Sequence, residues 1–297
     1  MKLPASVMKT IMSKYEKFSV ALAGCRTTDY ALECCEYDLI ILSDENIQEL
    51  IYIDDVYVEI HSLHTKASPS SIAPLIQNMR IVNDPTLALS ALKHDADIAM
   101  QKSMAVYARS KIVDALFYAN KAREVADENP QLSSLWLKCA GYCYLEGVVA
   151  SNGSKPMPTH MLAQLRSIGE SGDSEGITIA SASLGLERAN RSSLSRCAQA
   201  AIGLDTHVIG SHSGKIISRK IQFLLQAGLY SDCYLYVGHV ARNAVERIAL
   251  KPKTLKNYMF MINIAMDLTI DQPLISKLSG KLINACNAIL KRYYCSS

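Results

Sequence analysis

Apolar positions along this chain follow two periods, and the change between them falls near residue 86. Val7, Met8, Ile11, Met12 and Tyr15 recur at three- and four-residue spacing, which predicts a helix over 5–17. Phe18 to Ala23 is a short apolar run closed by Gly24, the pattern of a buried strand and its turn. Thr27 to Cys35 reads as a short helix or loop, and Tyr37 to Leu42 as a second strand. Ser43-Asp44-Glu45-Asn46 carries helix N-cap residues, so Ile47 to Ile51 is expected to be a short helix. Val56 to Leu63 alternates Val56, Val58 and Ile60 with Tyr57, Glu59 and His61, as a third strand would. A helix over Ile72 to Asn78 and a short strand from Arg80 to Pro85 complete this part.

From Thr86 onward the period is helical. Helices are predicted over 86–125, 131–150, 158–169, 176–188, 192–202, 213–228, 231–250 and 254–293, with Gly- and Ser-rich loops at 151–156, 169–176 and 210–214. The expected architecture is α+β: a mixed sheet with flanking helices over 1–92, then an all-α helical bundle over 93–297 for substrate binding or dimerisation.

Composition narrows the class. With 49% apolar and 20% charged residues the chain suits a folded globular protein. It holds no apolar stretch of membrane-spanning length, and its N-terminus lacks the apolar core of a signal peptide. Nine scattered cysteines form no CxxC pair and no zinc spacing, which points to reduced thiols in a cytoplasmic setting. Charge is uneven: residues 1–95 hold 8 Lys/Arg against 13 Asp/Glu, and the remainder 23 against 15. An acidic head suits a metal site; a basic body suits a phosphate-bearing substrate, although solvated helix faces explain most such excesses.

The chemistry sits in the head. Glu36 and Asp38 lie at i and i+2 on one strand and share a face, and Glu59 lies on the next predicted strand. Three ionised carboxylates on otherwise apolar strands are costly to bury together, and a divalent cation removes the conflict. The order of an apolar strand, Gly24-Cys25, a ten-residue gap, Glu36-Tyr37-Asp38, Glu59 between apolar residues, and a short strand ending in Asp84-Pro85 resembles the nucleotidyltransferase superfamily. That superfamily includes DNA polymerase beta and the minimal archaeal nucleotidyltransferases.

The resemblance implies transfer of a nucleoside monophosphate from a nucleoside triphosphate to a hydroxyl on a small molecule, a protein or an RNA end. It implies two Mg2+ ions held by Glu36, Asp38 and Glu59, with Asp38 and Glu59 in the catalytic roles and Gly24, Cys25 and Arg26 seating the triphosphate. Cys25 stands where the family carries Ser, and Glu36 where it carries Asp. The alternative reading is a catalytically inactive nucleotidyltransferase-like interaction module.

In the body, Arg242-Asn243 with Arg247 loosely resembles the Arg-to-His signature of HEPN helical domains, with Arg247 where His is expected. A substrate-binding bundle, or one that pairs with a second copy of the chain, is the expected role. Tyr107, Tyr118, Tyr142, Tyr144, Tyr230, Tyr234 and Tyr236, with Lys102, Arg109, Lys111, Lys121 and Arg123, offer the ingredients of a single-strand nucleic-acid surface; core packing and a solvated helix face are the default.

Overall fold

The computed structural model describes residues 3–169, 173–210, 212–249 and 252–295. Helix α1 (Ala5–Tyr15) leads into strand β1 (Ser19–Ala23), followed by β2 (Tyr37–Leu42), β3 (Gln48–Ile53), β4 (Val56–Leu63), α2 (Pro69–Ile76), β5 (Arg80–Asn83) and the long helix α3 (Ala88–Glu124). The five strands form one mixed sheet in the order β3-β4-β2-β1-β5. β1 runs antiparallel to β2 and β5, β2 is parallel to β4, and β3 is antiparallel to β4. Both faces are covered, which is why β1 reads as a continuous apolar run. On one face Val7, Ile11 and Tyr15 of α1 pack on Leu22, Leu39, Ile41, Val58 and Ile60. On the other, Ile72, Ala73 and Ile76 of α2 and Leu89 and Ala96 of α3 pack on Ala21, with Ile40 beside them.

One expectation is corrected and another gains a second role. The helix expected at Ile47 to Ile51 is β3, paired residue for residue with β4 from Gln48↔His61 to Ile53↔Val56. Asp54 and Asp55 close this hairpin with φ of 47° and 62°, the left-handed pair that a two-residue type I′ turn requires. The expected cap residue Asp44 instead accepts the backbone N–H of Thr65 at 3.2 Å and its hydroxyl, so it ties the start of the hairpin to the end of β4. The strand expected to end at Asp84-Pro85 is β5, and Asp84 also caps α3. The Asp84 carboxylate takes the N–H groups of Leu89 (3.2 Å) and Ser90 (2.7 Å) and the hydroxyl of Ser19 (2.6 Å).

The chain divides into two compact units, residues 1–105 and 106–297, with the boundary inside α3. Beyond α3 the second unit contains α4 (Pro130–Ser151), α5 (Met161–Ile168), α6 (Ser174–Leu184), α7 (Arg191–Val208), α8 (His212–Gln226), α9 (Tyr230–Ala249), α10 (Pro252–Ala265) and α11 (Gln272–Cys295). The single helix expected over 254–293 is therefore two. The chain turns at Asp267 (φ 47°), and Asp271 caps α11 by accepting the N–H of Leu274 at 3.0 Å. The loops expected at 169–176 and 210–214 lie partly outside the described residues.

Helix α4 is buried on nearly all sides, including two charged residues. Gly147 lets it approach α3 so closely that a Cβ there would lie 2.6 Å from Ile112 Cδ1. Glu146, 3% exposed, pairs with Arg242 (2.8 Å), Lys111 (3.3 Å) and His239 (3.5 Å). Lys138, 2% exposed, donates to the Leu184 carbonyl (2.6 Å) and to Tyr234 Oη (3.0 Å), which in turn donates to Asp267 (2.9 Å). Burial pushes the Lys138 amine down to about 7, with nearby Arg188 adding to the shift.

Candidate metal centre

The parallel register of β2 and β4 sets Asp38 directly beside Glu59. Glu36, two residues before Asp38, turns to the same side. One carboxylate oxygen from each of Glu36, Asp38 and Glu59 lies within 4.8 Å of the other two. Glu36 is buried, while Asp38 and Glu59 are half-buried at the rim of the sheet. The three acids expected from the sequence to converge do so.

Gly24 brings the backbone onto this cluster. β1 ends with Ala23 paired to Asp38, and Gly24 follows with φ of 69°. A Cβ at Gly24 would sit 1.7 Å from Asp38 Oδ2. Only glycine satisfies both the left-handed conformation and this close approach. The turn after it is self-contained: Thr27 Oγ1 donates to the Gly24 carbonyl at 2.7 Å and Thr28 Oγ1 to the Cys25 carbonyl at 2.8 Å.

Cys25 and Arg26 occupy positions that the sequence assigned to phosphate seating, and both side chains are buried. The Cys25 thiol is held well above the ordinary thiol range, first by its hydrogen bond with Cys35, then by burial and by the negative charge of Cys35, Glu36 and Asp38. In this surrounding of carboxylates and a second thiol the neutral form is favoured. The Arg26 guanidinium donates from Nε to the Cys35 carbonyl (3.0 Å) and from Nη2 to the Glu33 carbonyl (3.1 Å), and it lies 4.6 Å from the Tyr37 ring centre. It therefore braces the loop between β1 and β2.

His61 stands beside the acids. Its Nε2 is 3.2 Å from Glu59 Oε1. The hydrogen bond to Glu59 raises its pKa against the opposing effect of burial, with Glu59 and Asp38 charge adding to the rise. The hairpin adds one neighbour that the sequence did not place. Tyr57 lies two residues before Glu59 on the same face of β4, as its alternation predicts, and Tyr52 lies opposite it on β3. The helix expected over 47–51 left Tyr52 without a strand; the Asp54-Asp55 turn between alternating residues is the signal that finds it.

In the helical unit, Arg242 and four of the tyrosines suggested for other chemistry are buried, while Lys102, Arg109 and Arg123 are exposed. Arg242 is 3% exposed and paired with Glu146 and Glu246. Tyr142, Tyr144, Tyr234 and Tyr236 are buried. Among the described residues, no helix is long and apolar enough to cross a membrane.

No protein-family model matches this chain, and no curated protein matches it in sequence. Among solved structures, a nucleotidyltransferase-like protein from Exiguobacterium sibiricum 255-15 is similar over 88% of this chain and 88% of its own length, with 13% identity and a TM-score of 0.40.

Proposed function

We propose that the sheet unit transfers a nucleoside monophosphate from a nucleoside triphosphate to a hydroxyl acceptor, with Glu36, Asp38 and Glu59 holding two Mg2+ ions. The observation that carries this reading is the meeting of three carboxylates from adjoining segments, each offering an oxygen within 4.8 Å of the others. An all-oxygen donor set of this charge suits a hard divalent cation. The absence of a side chain at Gly24 lets the turn after β1 lie directly against the Asp38 carboxylate. Bound Mg2+ would supply charge stabilisation for the in-line displacement.

The chain's own residues then have separate tasks. The Gly24-Cys25 turn seats the triphosphate. Asp38, between Gly24 and Glu59 in the sheet, orients the reacting phosphate. Glu59 faces the acceptor side and takes the hydroxyl proton as the new O–P bond forms and pyrophosphate leaves. His61, 3.2 Å from Glu59, fixes the orientation of that carboxylate. The helical unit serves substrate binding or pairs with a second copy of the chain.

A second reading is favoured by specific observations. Cys25 offers a buried neutral thiol in place of a hydroxyl, and Arg26 is committed to the carbonyls of Glu33 and Cys35. Both weaken phosphate seating, and they suit an interaction module that keeps the fold without turnover. Calorimetric titration with Mg2+ and a non-hydrolysable nucleoside triphosphate separates the two. Saturable binding to the native protein, lost in Asp38→Ala, is expected for the transferase. Equal and negligible heats from both proteins would leave the module.

A further inference from the structure

We infer that Tyr52 and Tyr57 form a stacking platform for the acceptor, and that the acceptor is a small planar hydroxyl compound, neutral or cationic, rather than a nucleic-acid strand. This inference rests on the transferase reading and names the substrate class of its acceptor side.

Position comes first. In the sheet order β3-β4-β2-β1, Gly24 follows β1, Asp38 lies on β2, Glu59 on β4, and the tyrosine pair spans β4 and β3. Donor phosphates and acceptor therefore fall on opposite sides of the acids. Tyr57 and Glu59 point the same way from one strand, about 7 Å apart along it. Tyr52 is the direct cross-strand partner of Tyr57, as Leu50 is of Glu59. A ring resting on the tyrosines lies within one substrate length of the carboxylates.

Presentation comes second. The two ring centres are 4.8 Å apart and tilted by 43°, and Tyr52 is 57% exposed. The Tyr52 hydroxyl donates to Asp55 Oδ1 at 2.7 Å, and Asp55 belongs to the two-residue turn. The exposed ring is thus held by a tight hairpin, so little freedom is lost when a ligand stacks on it.

Charge decides the class. Asp54 and Asp55 close the same hairpin, Asp55 against the Tyr52 hydroxyl, and Glu59 lies beyond the pair on the same face. A phosphate-rich strand would meet repulsion there, whereas a neutral ring stacks and a cationic one gains attraction to the tyrosine faces and the carboxylates.

The test uses the full chain and three probes: adenosine (neutral), tyramine (cationic) and a single-stranded oligoadenylate. Saturation-transfer NMR is expected to show adenosine or tyramine binding to the native protein. Tyr52→Leu should weaken it by roughly 5-fold or more, in line with the cost of losing one aromatic stack, and Tyr52→Phe should retain it. Leucine keeps an apolar cross-strand contact, so a merely structural role would not separate the two variants. Failure of both small probes to bind, or equal binding to Tyr52→Leu, overturns the platform. Tighter, Tyr52-dependent binding of the oligoadenylate overturns the acceptor class. Calorimetry with Mg2+ and inorganic tripolyphosphate keeps the donor side separate. Its binding should be lost in Asp38→Ala and unchanged in Tyr52→Leu. If the native protein binds no tripolyphosphate while Tyr52 still governs ring binding, the transferase reading fails and the stacking site stands.

Discussion

Glu146 in the helical unit and the Glu36–Asp38–Glu59 cluster in the sheet unit place carboxylates under opposite conditions. Glu146 is more deeply buried, yet it has Arg242, Lys111 and His239 around it. Burial alone would raise its pKa; the charge of Arg242, with His239 and Lys111 nearby, outweighs that and holds it well below the usual carboxylate range. The sheet acids lie within 4.8 Å of one another, with His61 3.2 Å from Glu59. Glu146 has two fixed cations beside it and is a structural ion. The sheet cluster gathers three carboxylates, two of them half-buried. The difference separates a charge that the fold has neutralised from one suited to an external cation.

The largest effect expected from this contrast is at Arg242. Arg242→Ala leaves a buried carboxylate with weaker partners, and removing one member of a buried pair costs about 3–5 kcal/mol. Urea denaturation should show that loss. Replacing Arg242 and Glu146 together by Met and Leu should restore most of it, because the uncompensated charge is then gone as well. A double variant as unstable as the single one would mean that shape, not charge, holds α3, α4 and α9 together.

Lys138 tests the same rule for a cation. Its folded pKa of about 7 lies below the ordinary lysine value of 10.5. Between those values the unfolded chain holds a proton that the folded chain does not, so unfolding free energy rises with pH across that window. Below pH 7 both states are protonated and the contribution is flat. Thiols and tyrosines with raised pKa values act in the opposite direction, so the comparison is with Lys138→Met. The native protein should gain a few kcal/mol relative to that variant between pH 7 and 10. Parallel stability curves would show that Lys138 stays charged inside the bundle.

Much of this was legible in the sequence where a pattern is local. Strand periodicity puts Glu36 and Asp38 on one face and Glu59 on the polar face of its own strand, and the parallel pairing of β2 with β4 brings the two faces together. β3 was not legible. Ile47, Leu50 and Ile51 fit helical spacing as well as strand pairing, and Ser43 to Asn46 imitates a cap; only the hairpin with β4 decides between them. The role of Arg26 depends on the carbonyls of Glu33 and Cys35, whose positions no local pattern encodes. Glu146 shows a partial signal, a charge inside an apolar helix, but its partner Arg242 comes from α9 and is set by packing.

The smallest expected effect is also the one that discriminates best between the two regions. Asp38 and Glu59 stand directly beside each other in the register, and like charges so placed destabilise a sheet by about 0.2–1 kcal/mol. Asn has nearly the shape of Asp, so Asp38→Asn keeps the close fit against Gly24 while removing one negative charge. In a chelating buffer this variant should match or slightly exceed the native protein in thermal stability. Glu146→Gln should fall below it under the same conditions, because Arg242 and Lys111 lose their counter-ion. Millimolar Mg2+ should then raise the melting temperature of the native protein and not that of Asp38→Asn, since a ligand that binds only the folded state stabilises it in proportion to its occupancy. If Asp38→Asn instead loses stability in chelator, as Glu146→Gln does, the sheet acids are neutralised internally and the contrast between the two regions disappears.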